Sequence, residues 1–494
     1  MNSTEHLAPA AGTDPHHARR WWILAILGIA QLMVVLDATI VNIALPSAQK
    51  ALHFSDADRQ WVITGYALAF GSLLLLGGRI GDLFGRKRTL VAGLIGFAVA
   101  SAIGGAAQSF EVLVAARALQ GAFGALLAPA ALSLLSTTFT NPAERGRAFG
   151  IYGAIAVAGG AVGLLLGGVL TEYLSWRWSL YVNLAFAIPA AIAALGLLRN
   201  QIPANRPRID LPGTLTASGG LFALVYGFSQ AETHGWGAAT TLAFLAAGVA
   251  LLAAFAAIQR RVTHPLLPLR VVLDRNRGGS YLAVGIVGAG MFGVFLFLTY
   301  YLQQTLGFSP IETGLAFLPM MGAVMAVATT ASTALLPRTG PRPLMTLGMV
   351  LAAAGMALLA QLGIDSTYAA HVLPGLIIIG LGLGLVMAPA MNTATLGVDS
   401  ADAGVASATV NTMQQVGGSL GTALLSTLSA SAASSYLAGK QPSPDVVAHA
   451  AVHGYTTAFW WAAAIFTAGA LVSVLLLRGG APELDPDAEP VLAH

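Results

Sequence analysis

The stretch LDATIVNIALP, Leu36 to Pro46, sets an aspartate inside an apolar run that begins at Trp21. A carboxylate in hydrocarbon costs several kcal/mol unless it is paired, hydrated or protonated. Asp37 therefore reads as a functional position before it reads as packing. The run around it reads as a membrane span, since about 20 apolar residues cross a bilayer. His16, His17, Arg19 and Arg20 precede it as the basic region of a signal peptide would. The run is too long for such a peptide and lacks a small-x-small cleavage site, so it is expected to be retained as the first span.

The rest of the chain has the same character. Of its 494 residues, 56% are hydrophobic and 9% charged, against about 25% charged in soluble proteins, and the mean hydropathy is +0.74. This composition specifies a polytopic membrane protein embedded in the lipid bilayer. The net charge of +3 is small and no basic patch is interleaved with aromatics, so nucleic acid is not an expected partner. The absence of cysteine excludes disulfides, zinc–thiolate sites and iron–sulfur clusters.

Outward from the first run, apolar segments lie at residues 21–44, 59–79, 89–108, 111–138, 147–171, 178–198, 211–230, 237–258, 279–304, 312–336, 343–363, 369–396, 403–430 and 455–477, fourteen in all. Alternate connections between them are basic. With both termini cytoplasmic, nineteen of the 24 lysines and arginines fall inside and four outside, Lys50, Arg59, Arg177 and Lys440, with Arg117 set apart within a span. An odd number of spans would scramble that pattern. The longest basic connections, 200–210 and 259–278, flank segments seven and eight and mark that pair as an insert.

The expected architecture is thus an all-α integral membrane protein of 14 transmembrane helices, two pseudo-symmetric six-helix bundles plus two inserted helices. The bundles cover residues 21–200 and 266–478, with the linker and its two extra helices at 201–265. Residues 1–20 are expected to be a disordered cytoplasmic tail and 479–494 an acidic cytoplasmic one. GRIGDLFGRKRTL after segment two has a faint echo in LLPRTGPRPLM after segment ten, at the matching place of the second half.

Helix geometry gives Asp37 a neighbour. Rising from the inner side at Trp22, Asp37 stands roughly 22 Å up, and Arg117, descending with segment four, lies roughly 9 Å below the outer surface of a core of about 30 Å. The two meet at one depth. A nearby guanidinium favours the charged carboxylate while burial favours the protonated one, and that opposition suits a group that takes up and releases a proton. A permanent ion pair that only fixes packing is the alternative. Arg117, Gln120, Gly121, Gly124 and Ala128 share one helix face, small below its polar end, which would let segment one approach Arg117. Gln120 suits an interhelical hydrogen bond or a substrate contact equally.

Four motifs resemble the major facilitator superfamily, specifically its fourteen-helix drug:proton antiporters of the EmrB/QacA type: LDATIVNIALP, GRIGDLFGRKRTL, RALQGAFGALLAP and GGAVGLLLGGVL. In the second half, TYYLQQTLGFSPIETGLAFLP and GVASATVNTMQQVGGSLGTAL are similar to the same subfamily. The resemblance implies proton coupling through Asp37 and Arg117, and a cytoplasmic gating latch at Gly78, Asp82, Gly85, Arg86 and Lys87. Asp82, at the unfavourable end of a helix dipole, needs a partner, either Arg86 or a helix of the other half. Gly159, Gly163 and Gly167 form a packing ridge. Where the antiporters carry a proline after this glycine, Leu164 stands instead.

Segment thirteen carries a polar stripe that includes Asn411, Gln414 and Gln415, which with Gln120 are the candidate substrate-binding residues; interhelical bonding is the alternative. Tyr300, Tyr301, Gln303 and Gln304 read as interfacial anchors. Gln31 and Asn42 lie on another stripe of segment one than Asp37 and read as packing or polar bonding. No phosphate loop, metal-binding histidine pair or nucleophile elbow is present, so no enzyme and no cofactor is expected. The expected function is proton-driven export of small-molecule drugs by alternating access, with a monomer as the working unit. A transporter dedicated to one metabolite, lipid or peptide, or a non-transporting receptor on the same fold, stays open.

Overall fold

A computed structural model describes residues 15–55, 58–139, 142–198, 210–263, 265–396, 398, 403–441 and 443–480. Most of both expected tails, and residues 199–209 where the first bundle passes into the linker, lie outside these. The first helix already begins at Pro15, so the stretch up to Arg20, expected to be disordered, is helical.

The described residues form helices and no strands. The first six are α1 (Pro15–Leu52), α2 (Gln60–Phe84), α3 (Arg86–Gly105), α4 (Phe110–Thr138), α5 (Pro142–Tyr173) and α6 (Trp178–Leu197). The next pair is α7 (Leu211–His234) and α8 (Ala239–Gln259), followed by the short α9 (Leu269–Val272). Then come α10 (Arg275–Tyr300), α11 (Pro310–Thr330), α12 (Leu336–Thr339), α13 (Pro341–Leu359), α14 (Leu373–Thr395), α15 (Ala403–Leu437) and α16 (Pro444–Leu476).

Side-chain caps fix several of the starts. Ser309 and Glu312 close a reciprocal capping box ahead of α11, with Pro310 at its first position. Asp210 accepts from Gly213 N at 2.8 Å ahead of α7, and Ser443 caps α16 in the same way. Gly85 between α2 and α3 (φ 94°) and Gly340 between α12 and α13 (φ 77°) both adopt a left-handed turn open to glycine. These are the two loops whose sequences echo each other.

Among the described residues, twelve helices are long and apolar enough to cross a membrane. The fourteen segments of the sequence are therefore not all matched on length and composition. The apolar part of α2 is the shorter stretch Gln60–Leu74. In α15, a face of serine, threonine, asparagine and glutamine dilutes the hydropathy of a 35-residue helix. Both nonetheless pack among the spans, α2 against α4 and α15, and α15 against α10 and α16.

Packing repeats between the first six helices and the last group. The pairs α1–α5, α2–α4, α3–α4, α3–α6 and α1–α6 recur as α10–α15, α11–α14, α13–α14, α13–α16 and α10–α16. The groups meet along two seams, α2 with α15 and α5 with α11. The inserted α7 lies on the first seam, touching both α2 and α15, and α8 packs on α7. Ser218 Oγ of α7 donates to Ser72 O of α2 at 3.3 Å, and Thr427 Oγ1 of α15 donates to Phe228 O of α7 at 2.9 Å.

Candidate functional site

The site is built around α1, which α5 holds in place. A Cβ on Gly167 would stand 2.9 Å from Ile40 O, and one on Gly163 would clash with Thr39 Oγ1 and lie 3.0 Å from Leu36 O; Gly159 faces Leu32 and Val35. The ridge expected on α5 therefore lies against residues 32–40, directly behind Asp37. At Leu164 the α5 helix runs on without a proline, and the Leu164 carbonyl lies against Gly314 of α11.

Asp37 is fully buried and Arg117 is 2% exposed. The Arg117 Nη1 donates to Asp37 Oδ2 at 2.6 Å, which closes the ion pair reached from helix depths alone. The other oxygen, Oδ1, accepts from Gln120 Nε2 at 2.9 Å and from Asn183 Nδ2 at 2.7 Å. Arg117 in turn donates to Gln120 Oε1 at 2.8 Å and, through Nε, to Val62 O at 3.1 Å. Its guanidinium carbon sits 4.5 Å from the centre of the Tyr66 ring, a cation–π contact in a desolvated place. Ser101 Oγ accepts from Gln120 Nε2 at 2.7 Å and Asn183 Nδ2 at 3.3 Å. Six helices thus contribute to one cluster only if α5's backing is counted; side chains come from α1, α2, α3, α4 and α6.

Chemically, the cluster is a carboxylate facing three N–H donors, one of them cationic. Buried ion pairs need this kind of extra hydrogen bonding to offset desolvation. Gln120 has its two N–H groups and its carbonyl engaged inside the cluster, so in this conformation it orients Asp37 and faces no open substrate space. Sequence reading missed Asn183 and Ser101. The available signal was the one that found Asp37, a polar residue amid YVNLAF, but asparagine and serine carry no charge and so stand out less.

The small face of α4 admits a different neighbour from the one expected. Gly121 faces Tyr66 O, and Gly124 faces the Phe70 ring and the Tyr66 hydroxyl, so the close backbone is α2 and not α1. Gln31 and Asn42 stay outside the cluster: Gln31 Oε1 accepts from Tyr152 Oη at 2.7 Å, and Asn42 donates to Ala38 O at 2.9 Å.

The other expected sites are separate. At the basic end of the helices, Arg86 Nη1 donates to Ser133 O at 3.4 Å and Lys87 Nζ to Leu195 O at 2.7 Å. Gly78 faces Pro129 of α4 and Gly85 makes the turn. The Asp82 backbone is helical, and its side chain lies outside the described ones. On α15, Asn411 Nδ2 donates back to Ser407 O at 3.3 Å. Gln415 packs by its Cβ against Gly71 of α2, and its Oε1 is buried without a hydrogen-bond partner. The backbone carbonyl of Gln414 lies against Gly288 of α10.

Tyr300 and Tyr301 are fully buried and are not lipid-interface anchors. Tyr300 Oη donates to Gln49 Oε1 at 2.5 Å and Tyr301 Oη to Gly363 O at 2.7 Å. They lie in the protein interior because α10 is the central helix of its group, enclosed by α14, α15 and α16.

Comparison with known proteins agrees with this architecture. The sequence profile of the Major Facilitator Superfamily matches residues 27–422. The puromycin resistance protein pur8 of Streptomyces alboniger is 52% identical over 472 residues, 95% of this chain and 93% of its own length. The cephamycin export protein CmcT of Amycolatopsis lactamdurans is 40% identical over 414 residues, 83% of this chain and 85% of its own. Among solved structures, an autoinhibited POT family peptide transporter superposes with a TM-score of 0.67 at 16% identity, covering 92% of this chain and 96% of that one, which speaks for the fold alone. With helices that pack as two similar groups, a buried carboxylate–guanidinium pair and these relatives, the chain belongs to the Major Facilitator Superfamily, in its drug:proton antiporter branch.

Proposed function

We propose that this protein is a proton-coupled antiporter that exports lipophilic drugs or antibiotics, organic cations among them, across the cell membrane. The observation that carries the reading is the buried Asp37–Arg117 pair, set among amide donors, in a chain whose relatives are named for antibiotic resistance and export. Drug export alone would not call for a buried carboxylate; coupling to protons would.

In the proposed cycle, Asp37 takes a proton in the outward-open state and releases it inward. Protonated Asp37 no longer attracts Arg117 as an anion does, so proton uptake weakens the tie between α1 and α4 and shifts the balance of two conformations. Gln120, Asn183 and Ser101 orient the carboxyl, and Tyr66 steadies the guanidinium from its other face. Substrate binds near the midplane between the halves, with Asn411, Gln414 and Gln415 toward it. Gly78, Asp82, Gly85, Arg86 and Lys87 form the cytoplasmic latch.

The proposal extends to topology. The α2 and α15 helices also span, giving fourteen; residues 21–200 and 266–478 are the two bundles, and 201–265 carries the extra pair. Both termini and the basic end face the cytoplasm, following the bias of lysine and arginine. The protein works as a monomer, without a cofactor, on the proton gradient, and is not an enzyme.

The test is a panel of antibiotics, dyes and quaternary ammonium compounds, run on cells with and without the gene at two external pH values. The expected result is reduced accumulation of several compounds, more so at the lower external pH. Protection against one compound only points to a dedicated transporter. No protection, with no substrate-dependent proton movement in reconstituted vesicles, points to a receptor.

A further inference from the structure

Arg59, at the start of α2, is a second buried cation, 6% exposed, and proton coupling gives it no task. Its guanidinium carbon lies 4.3 Å from the centre of the Tyr300 ring, 5.7 Å from that of Tyr455 and 5.8 Å from that of Phe297. All three rings are buried and belong to α10 and α16, on the other side of the division between the helix groups. The cage is tied within its own group, since Tyr455 Oη donates to Gln304 Oε1 at 3.2 Å.

Hydrogen bonds that involve side chains cross between the groups at the same end. Tyr300 Oη donates to Gln49 Oε1 at 2.5 Å, Gln303 Nε2 to Ile43 O at 3.1 Å, and Ile311 N to Glu172 Oε2 at 3.1 Å. Gly168 and Gly314 let α5 and α11 touch backbone to backbone there. Toward the basic end, a Cβ on Gly153 of α5 or on Gly322 of α11 would meet nothing within 4 Å. The structure is closed at the end away from the basic loops, and a cation from one group sits in an aromatic cage of the other.

We infer that Arg59 is the latch of the outer gate: its guanidinium, held by Phe297, Tyr300 and Tyr455, keeps the two halves shut on the extracellular side and leaves that cage when the outward-open state forms. The inference rests on the alternating-access reading. A desolvated cation–π contact is among the stronger forms of that interaction. It requires both halves together, whereas the Asp37 cluster lies wholly within one half and survives their separation.

The chain contains no cysteine, so Ile43→Cys, at a fully buried residue whose carbonyl accepts the bond from Gln303, gives a single reporter. It is labelled from outside with a membrane-impermeant maleimide. Labelling of Ile43→Cys alone should change with pH; if it never labels, the alternating-access reading fails independently of the latch. Adding Arg59→Ala should raise the labelling rate, by up to about thirtyfold, and Arg59→Lys should give an intermediate rate. Phe297→Leu and Tyr455→Leu should reproduce the rise from the opposite half, which keeps the test valid if Arg59→Ala does not fold. A pH-responsive reporter whose labelling stays unchanged in Arg59→Ala, or in both cage variants, overturns the latch.

Discussion

The two helix groups pack by one scheme and differ in what they bury. In the first, α1 lies against α5 across Gly163 and Gly167; in the second, α10 lies against α15 across Gly417 and Gly421, whose added Cβ atoms would meet Gly285 and Ala289. The first group buries Asp37, Arg117, Gln120 and Asn183, whereas the buried polar residues described in α10–α16 are serines and threonines. A shared backbone pattern therefore carries charge chemistry in one half and an apolar scaffold in the other. On the proposed reading this is a division of labour: one half would change state with a proton, and the other would offer a firm surface against which that change becomes movement.

The contrast breaks most readily at Arg117. Arg117→Ala leaves Asp37 buried without its cation, and should cost about 3 to 5 kcal/mol in unfolding of the purified protein. Adding Asp37→Asn should recover much of that loss, because no uncompensated charge then remains. A loss under about 1 kcal/mol, in the range of exposed pairs, would mean that water reaches the pair and the halves do not differ as described. Next in size, Asn183→Ala removes a hydrogen bond to a carboxylate and should cost about 1.5 to 3 kcal/mol, with substrate-driven proton exchange reduced. Ser280→Ala, at a buried hydroxyl of α10 that donates to Asn276 O at 2.8 Å, should cost about 0.5 to 1.5 kcal/mol and leave exchange intact.

The glycine ridges sharpen the comparison further. Gly163→Ala and Gly417→Ala each overpack a helix crossing, at about 1 to 3 kcal/mol. Only Gly163→Ala displaces the α1 backbone beside Asp37, so transport per folded molecule should fall in that variant and hold in Gly417→Ala. The smallest effect is expected at Lys87→Met. The Lys87 ammonium meets a carbonyl near the C-terminus of α6, an arrangement worth about 0.3 to 1 kcal/mol, and thermal unfolding should shift little.

How much of this was legible in the sequence depended on chemistry that leaves a mark in one dimension. Hydropathy exposed the helices, and the cost of a charge in lipid exposed Asp37 and Arg117; helix rise then placed the two at one depth. The α15 segment, read as a span from the sequence, falls short on hydropathy because residues facing other helices are free to be polar. Asn183 and Ser101 went unnoticed since an uncharged polar residue in a span is common and its partners come from distant segments. The choice of α2 as the neighbour of Gly121 could not be read, because a small residue permits a close backbone without naming it. The Arg59 cage joins residues 59, 297, 300 and 455, and no local pattern brings those together.

The most direct measurement of the central claim is Asp37→Asn in reconstituted vesicles, comparing downhill substrate exchange with uphill transport driven by an imposed pH gradient. The account predicts that exchange persists while gradient-driven accumulation is lost, because the amide keeps the shape of the site and cannot carry the proton. Undiminished accumulation in Asp37→Asn would contradict it.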